Sequence, residues 1–236
     1  MSLKLIGSTT FRSFRCVWML EELHVPYEHV LAKPWSKAAK QYNPQGKVPI
    51  LVVDGGDFVL SESAAINTYL ATKYASGSNH LVPPPTSSLE QLARYHQLTL
   101  TIMIDMDALG LWIYDKHQVL HKYFGKSPEA VQEAKRQFDA VQAVLVSQLE
   151  KQDNGGPYLM GSDFSAVDIL YVHCLDWAKN IGWLAIHPDE KKNENDDVLG
   201  VYLQKCHSRP AYQRTLAKRQ AEEAQAEKER KQQAVS

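Results

Sequence analysis

The chain has 236 residues, 44% of them apolar, with 26 basic against 27 acidic side chains. That size supports a real core in one large or two small domains, and the near-neutral charge gives no electrostatic case for nucleic acid or a membrane surface. No apolar run reaches the about 18 residues of a membrane span, the N-terminus turns polar too soon for a secretory signal, and Cys16, Cys174 and Cys206 are too widely spaced for a disulfide framework, so a soluble cytoplasmic protein without membrane insertion is expected.

Lys4-Leu5-Ile6 is a short strand ending at Gly7. From Ser13 to Leu23, Phe14, Val17, Trp18 and Leu20 recur at helical spacing, and His24 and Pro26 close the helix. Tyr27-Glu28-His29-Val30-Leu31 reads as a second strand. Val48-Pro49-Ile50-Leu51-Val52-Val53 is a β-branched run followed by the turn Asp54-Gly55-Gly56-Asp57 and a returning strand, Phe58-Val59-Leu60. Ser63 can then cap a helix that carries Ile66, Tyr69, Leu70 and Tyr74 on one face. A parallel pair joined through a helix, then an antiparallel hairpin and a helix, is a thioredoxin-like pattern: an α/β domain over 1–76 with a mixed four-stranded sheet. Residues 77–86, with Pro83-Pro84-Pro85, form a linker. Beyond it the pattern is all-helical, with candidates at 89–114, 129–150, 166–181, 198–207 and from 211, giving an all-α bundle over 87–236. The tail from about 214 has pairs four apart (Lys218/Glu222, Arg219/Glu223, Glu227/Lys231) and few large apolar residues, so a solvated helix packed on nothing is expected.

Three segments could carry chemistry. In Asn43-Pro44-Gln45-Gly46-Lys47-Val48-Pro49, a proline at a strand start leaves the Val48 backbone able to pair with an extended peptide, given a cis bond that local physics does not establish. In Leu60-Ser61-Glu62-Ser63-Ala64-Ala65-Ile66, helix-start amides would attract a carboxylate and Glu62 would attract an ammonium, as an α-amino acid end requires; a plain N-cap is the other use of Ser63. In Ser8-Thr9-Thr10-Phe11-Arg12-Ser13-Phe14-Arg15, hydroxyls, positive charge and a helix start would together favour a thiolate over a thiol, whose ordinary pKa is about 8.5. A capped helix with exposed arginines is the alternative there.

These segments, with Arg15, Trp18-Met19-Leu20-Glu21-Glu22-Leu23 and Val25-Pro26-Tyr27-Glu28, resemble the soluble glutathione transferases in order and spacing. Gly161-Ser162-Asp163-Phe164-Ser165-Ala166-Val167-Asp168 is similar to that family's buried capping box and staple, and Arg209-Pro210-Ala211-Tyr212 resembles its last helix start, so the likeness runs to about Leu216. The resemblance implies that Val48, before a cis Pro49, pairs with the cysteinyl part of glutathione, that Glu62 and Ser63 hold the γ-glutamyl end, and that Lys47 meets the glycine carboxylate. Arg12 stands with these residues as a binding candidate. Family members activate the thiol with Tyr, Ser or Cys near the end of the first strand. Here Thr10 matches the serine position of several classes, Thr9 and Phe11 lie one residue away, Phe11 cannot donate, and Ser8 and Ser13 are further hydroxyls. Cys16 lies too far into the helix and reads as a small buried residue.

The implied function is a glutathione transferase, with glutathione as co-substrate and an apolar electrophile or hydroperoxide as acceptor. Peroxidase or disulfide-reductase chemistry would be a side activity. The acceptor pocket would lie between loop 9–12 and the first long helix beyond the linker, where Met103, Asp107, Leu111 and Tyr114 share a face. A reductase that uses bound glutathione as the thiolate, and a non-enzymatic interaction module of the same fold, are the competing readings. No metal is called for: His117 and His121, four apart, have no third ligand nearby and read as surface histidines. A homodimer with the 63–74 helix near the contact is expected.

Overall fold

A computed structural model describes residues 2–76, 80–151, 156–184 and 194–235. Residues 77–79 of the expected linker lie outside them. The chain divides into two compact units, Met1–His80 with His207–Ser236, and Leu81–Cys206.

The first unit contains β1 (Leu3–Ile6), α1 (Ser13–Leu23), β2 (Glu28–Val30), α2 (Lys37–Tyr42), β3 (Ile50–Val53), β4 (Phe58–Ser61) and α3 (Ser63–Lys73). Sheet order is β2-β1-β3-β4; β1 and β2 run parallel, and β3 is antiparallel to β1 and to β4. This is the thioredoxin-like arrangement. Alternation along the strands splits the core into two layers. Ile6, Ile50 and Val52 face Ala39 of α2 on one side. Leu5 and Leu51, opposite each other in register, are wholly buried on the side of α1 and α3. The six-residue α2 was not expected; it starts at Ser36, whose hydroxyl accepts from Ala39 N–H.

The second unit is helical among the described residues. It contains α4 (Leu89–Thr101), a π-helical stretch (Ile102–Leu111), α5 (Trp112–Tyr114), a second π stretch (Asp115–Val119), α6 (His121–Phe124), α7 (Pro128–Lys151), α8 (Ala166–Asn180) and α9 (Glu194–His207). α8 is buried almost all round and is the unit's central helix. Of Met103, Asp107, Leu111 and Tyr114, expected on one face, Asp107 and Leu111 are buried and the other two half-buried; the stretch 102–111 carries i→i+5 bonding, a longer period than the 3.6 residues assumed. No helix among the described residues is long and apolar enough to cross a membrane.

The C-terminal helix α10 (Pro210–Val235) corrects the expectation of a tail packed on nothing. It lies along α1 in the first unit. Tyr212 sets its ring edge-on to Trp18 at 4.9 Å and to Phe14 at 5.7 Å. Arg209 makes a two-pronged ion pair with Glu22, both contacts 2.7 Å. Arg214 and Lys218 reach Glu21 at 2.7 and 2.6 Å, and Lys218 also donates to the Tyr27 hydroxyl. Of the expected pairs along the tail, Arg219–Glu223 and Lys231–Glu227 form; Lys218 turns to Glu21 and Glu222 to Ser8 instead.

Candidate functional site

The first turn of α1 is where the three chemistry-bearing segments meet. β1 is followed by Gly7, whose φ of +138° and lack of a side chain are both required: a Cβ there would collide with Ser13 Oγ and stand 3.1 Å from Val48 Cβ. Gly7 thus brings the start of α1 against the Val48 corner. Two residues on, Arg15 donates to Ser63 Oγ at 3.2 Å, and Asn67 Nδ2 donates to the Arg15 carbonyl at 3.3 Å. That joins the same turn to the start of α3. Arg15 is wholly buried, which overturns its reading as an exposed arginine; the polar Ser63 and Asn67 sit on the buried face of α3 beside it. They take places on that face alongside Ile66 and Leu70, while Tyr69 and Tyr74 are only half-buried.

At the corner, the Val48-Pro49 bond is cis. Among the described residues, the Val48 N–H and C=O make no backbone hydrogen bond, and β3 starts only at Ile50. Lys47 is exposed, and its carbonyl accepts from Asn43 Nδ2 at 3.3 Å. At the start of α3, Glu62 is the N-cap residue, exposed, with φ 70° and ψ 115°. A positive φ at a non-glycine residue stores strain of about 1–3 kcal/mol and so marks a site worth attention. No side chain caps α3: Ser63 stands one residue inside it, with its hydroxyl turned to Arg15. The expectation that Ser63 caps this helix is corrected accordingly, and the first-turn N–H groups are left without a side-chain acceptor.

The hydroxyls before α1 separate by burial. Thr9 and Ser13 are 1% and 0% exposed, and the oxygen of each lacks a partner among the described residues. Thr10 is exposed. No side chain caps α1, whose N-cap residue is the half-buried Arg12. Ser8 Oγ lies 2.7 Å from Thr10 Oγ1 and donates to Glu222 Oε2 of α10 at 2.7 Å; Thr9 N–H donates to the same oxygen at 2.9 Å. Neither Arg15 as a buried tie nor Glu222 as a loop anchor was found from sequence. The first looks like any surface arginine, and the second acts across more than 200 residues. Burial pushes the Cys16 thiol well above its ordinary pKa against a smaller opposing effect of Arg15, so Cys16 is a poor nucleophile. In the other unit, the His117 and His121 ring nitrogens bond the Gly125 and Gln118 carbonyls, each at 3.0 Å.

Comparison with known proteins agrees with this geometry. Residues 12–73 match the family described as glutathione S-transferase, N-terminal domain. The chain is 31% identical over 191 residues to glutathione S-transferase hmp2 of Hypomyces subiculosus, covering 78% of this chain and 85% of that one. It is 26% identical to the glutathione S-transferase-like protein tpcF of Aspergillus fumigatus, over 86% of this chain and 89% of the relative. Among solved structures, the glutathione transferase URE2P8 of Phanerochaete chrysosporium, with oxidized glutathione, superposes with a TM-score of 0.77 at 22% identity over 94% of this chain and 97% of that one. Ure2p5 of the same fungus, cocrystallized with 1-(S-glutathionyl)-2,4-dinitrobenzene, gives 0.76 at 19% identity over 95% and 97%. The chain belongs to the glutathione S-transferase family.

Proposed function

We propose that the first unit binds glutathione and that the protein is a glutathione transferase, ionising the bound thiol for attack on an apolar electrophile or a hydroperoxide. The observation that carries this reading is the convergence at the first turn of α1, where Gly7 packs against both Ser13 and Val48 while Arg15 holds Ser63. A tripeptide laid along that turn has a partner for each part. The Val48 N–H and C=O pair with its cysteinyl backbone as an added strand does. The uncapped amides of α3 take the γ-glutamyl carboxylate, and Glu62 takes the ammonium. Lys47 meets the glycine carboxylate.

Thr10 is the hydroxyl that serves the sulfur, because Thr9 and Ser13 are buried. Lowering a thiol from about 8.5 to near 7 requires roughly 2 kcal/mol, within the about 1.5–3 kcal/mol of a hydrogen bond to a charged group. The thiol proton leaves to solvent. The thiolate then forms a carbon–sulfur bond as the leaving group departs with its electron pair. Supporting the reading, relatives in this family have been solved with oxidized glutathione and with a glutathionyl dinitrobenzene. The exposed Phe58 and Val59 of edge strand β4, with Phe58 against Tyr69 of α3, support a homodimer through that face.

The test is a calorimetric titration with glutathione followed by turnover of a chromogenic aryl halide, a hydroperoxide and a small mixed disulfide. Binding with aryl-halide or hydroperoxide turnover is expected. Binding with disulfide turnover alone would make the protein a reductase, and no binding would leave an interaction module.

A further inference from the structure

We infer that Glu222 is a positioning residue that sets the acidity of the bound thiol, by fixing which way the Thr10 hydroxyl points its proton. The inference rests on the reading of Thr10 as the hydroxyl that faces the sulfur. It follows from counting protons in the loop. Glu222 Oε2 takes the Ser8 hydroxyl proton at 2.7 Å and the Thr9 N–H at 2.9 Å. Ser8 has one hydroxyl proton, so its oxygen can only accept from the loop. It accepts the Thr10 N–H at 3.2 Å, and across the 2.7 Å separation from Thr10 Oγ1 the proton must then be that of Thr10. The chain therefore runs Thr10 to Ser8 to Glu222.

With Glu222 in place, Thr10 presents lone pairs outward. To donate to a thiolate it must give up its bond to Ser8, which offsets part of the stabilisation. The carboxylate's charge at the end of the chain acts in the same sense, opposing a second negative charge at the sulfur. Glu222 thus keeps the pKa of the bound thiol higher than the Thr10 hydroxyl alone would set it. Ionisation is favoured once Ser8 is released, when Ser8 can donate to Thr10 and Thr10 to the sulfur.

Of the other charged or titratable groups around the loop, Arg15, His29, Lys218 and Arg219 bond elsewhere. Arg12 heads α1, Arg15 is buried under α3 with a bond to Ser63, and His29 Nε2 lies 2.8 Å from the Gly7 carbonyl. On α10, Lys218 is on Glu21 and Tyr27, and Arg219 is on Glu223. The second Glu222 oxygen is buried with no partner among the described residues, so no cation compensates it through a hydrogen bond there.

The experiment measures the thiol pKa of glutathione bound to the full chain, from thiolate ultraviolet absorbance against pH, beside calorimetric affinity. Glu222→Gln should lower that pKa by about one unit, the size expected for removing one charge roughly 8 Å away at an effective dielectric of about 30. Ser8→Ala, which cuts the chain from the other side, should lower it in the same direction. In a Thr10→Val background the Ser8→Ala shift should vanish. If wild type binds no glutathione, the proposed function fails and this inference with it. If glutathione binds and the thiol pKa is unchanged or higher in both Glu222→Gln and Ser8→Ala, this inference alone is overturned.

Discussion

The starts of α3 and α8 are the same structural event put to different uses. At α8 the third helical residue is Asp168, wholly buried. Its Oδ2 accepts from Ser165 N–H and Oγ–H at 2.8 and 2.9 Å, and its Oδ1 from Leu159 N–H and the Tyr202 hydroxyl at 3.0 and 2.8 Å. The chain closes that helix start with its own carboxylate. At α3 the corresponding third residue is Ala65, the N-cap Glu62 makes no cap hydrogen bond, and Ser63 is turned to Arg15. The chain leaves that start open. A closed start is a lock on the fold, whereas an open one beside a strained, exposed Glu62 is suited to a ligand's carboxylate. Substitutions at the two starts should therefore separate: stability at α8, binding at α3.

The largest effect expected is at the closed start. Asp168→Ala leaves several buried donors without an acceptor and should cost about 3–5 kcal/mol in urea unfolding, well beyond the usual single-site loss. A loss under about 1 kcal/mol would break the comparison. Next is Thr10→Val, which keeps the shape but removes the hydroxyl. It should lower kcat/KM for an aryl halide by about 100-fold while the unfolding midpoint stays put. Smaller again is Glu62→Gln, which should weaken glutathione binding about 10-fold by calorimetry through the lost ammonium pairing, with no stability cost at an exposed side chain.

The smallest effect is in the seam between α1 and α10. Burial alone would raise the pKa of Glu21, but hydrogen bonds from Lys218 and Arg214 overcome it and hold the group below its ordinary 4.5. The folded-state value is depressed, so its contribution is fully present above pH 4.5 and is lost as pH falls through the lower folded value. For a partly exposed pair this is at most about 1 kcal/mol. Wild type should lose stability below pH 4.5 more steeply than Glu21→Gln, which has no such proton to gain; parallel curves would remove the seam from the account.

Much of this contrast was legible in the sequence. The resemblance of Ser165-Ala166-Val167-Asp168 to the family's capping box implied a closed helix start, the Asp54-Gly55-Gly56-Asp57 turn sets the hairpin register Val53↔Phe58, and the β-branched run gives β3. What escaped has physical reasons. α2 has six residues, too few for a period to show. The π stretch keeps an apolar composition, so its i→i+5 bonding could not be told from that of an α-helix. Arg15 was read as exposed because charge normally predicts exposure, whereas the polar Ser63 and Asn67 meet it inside the fold. Glu222 was paired with Lys218 because the four-residue rule considers one helix at a time, while α1 offered Lys218 a better acceptor in Glu21. Local rules captured local structure; the contacts that define the loop before α1 come from the far end of the chain.

The most direct test is a crystal structure of the protein with glutathione. The account predicts the tripeptide against the first turn of α1, with its cysteinyl backbone paired to Val48, its γ-glutamyl carboxylate on the first-turn amides of α3, and its sulfur within about 3.5 Å of Thr10 Oγ1. Glutathione bound elsewhere, or a sulfur nearer to another hydroxyl than to Thr10, would contradict it.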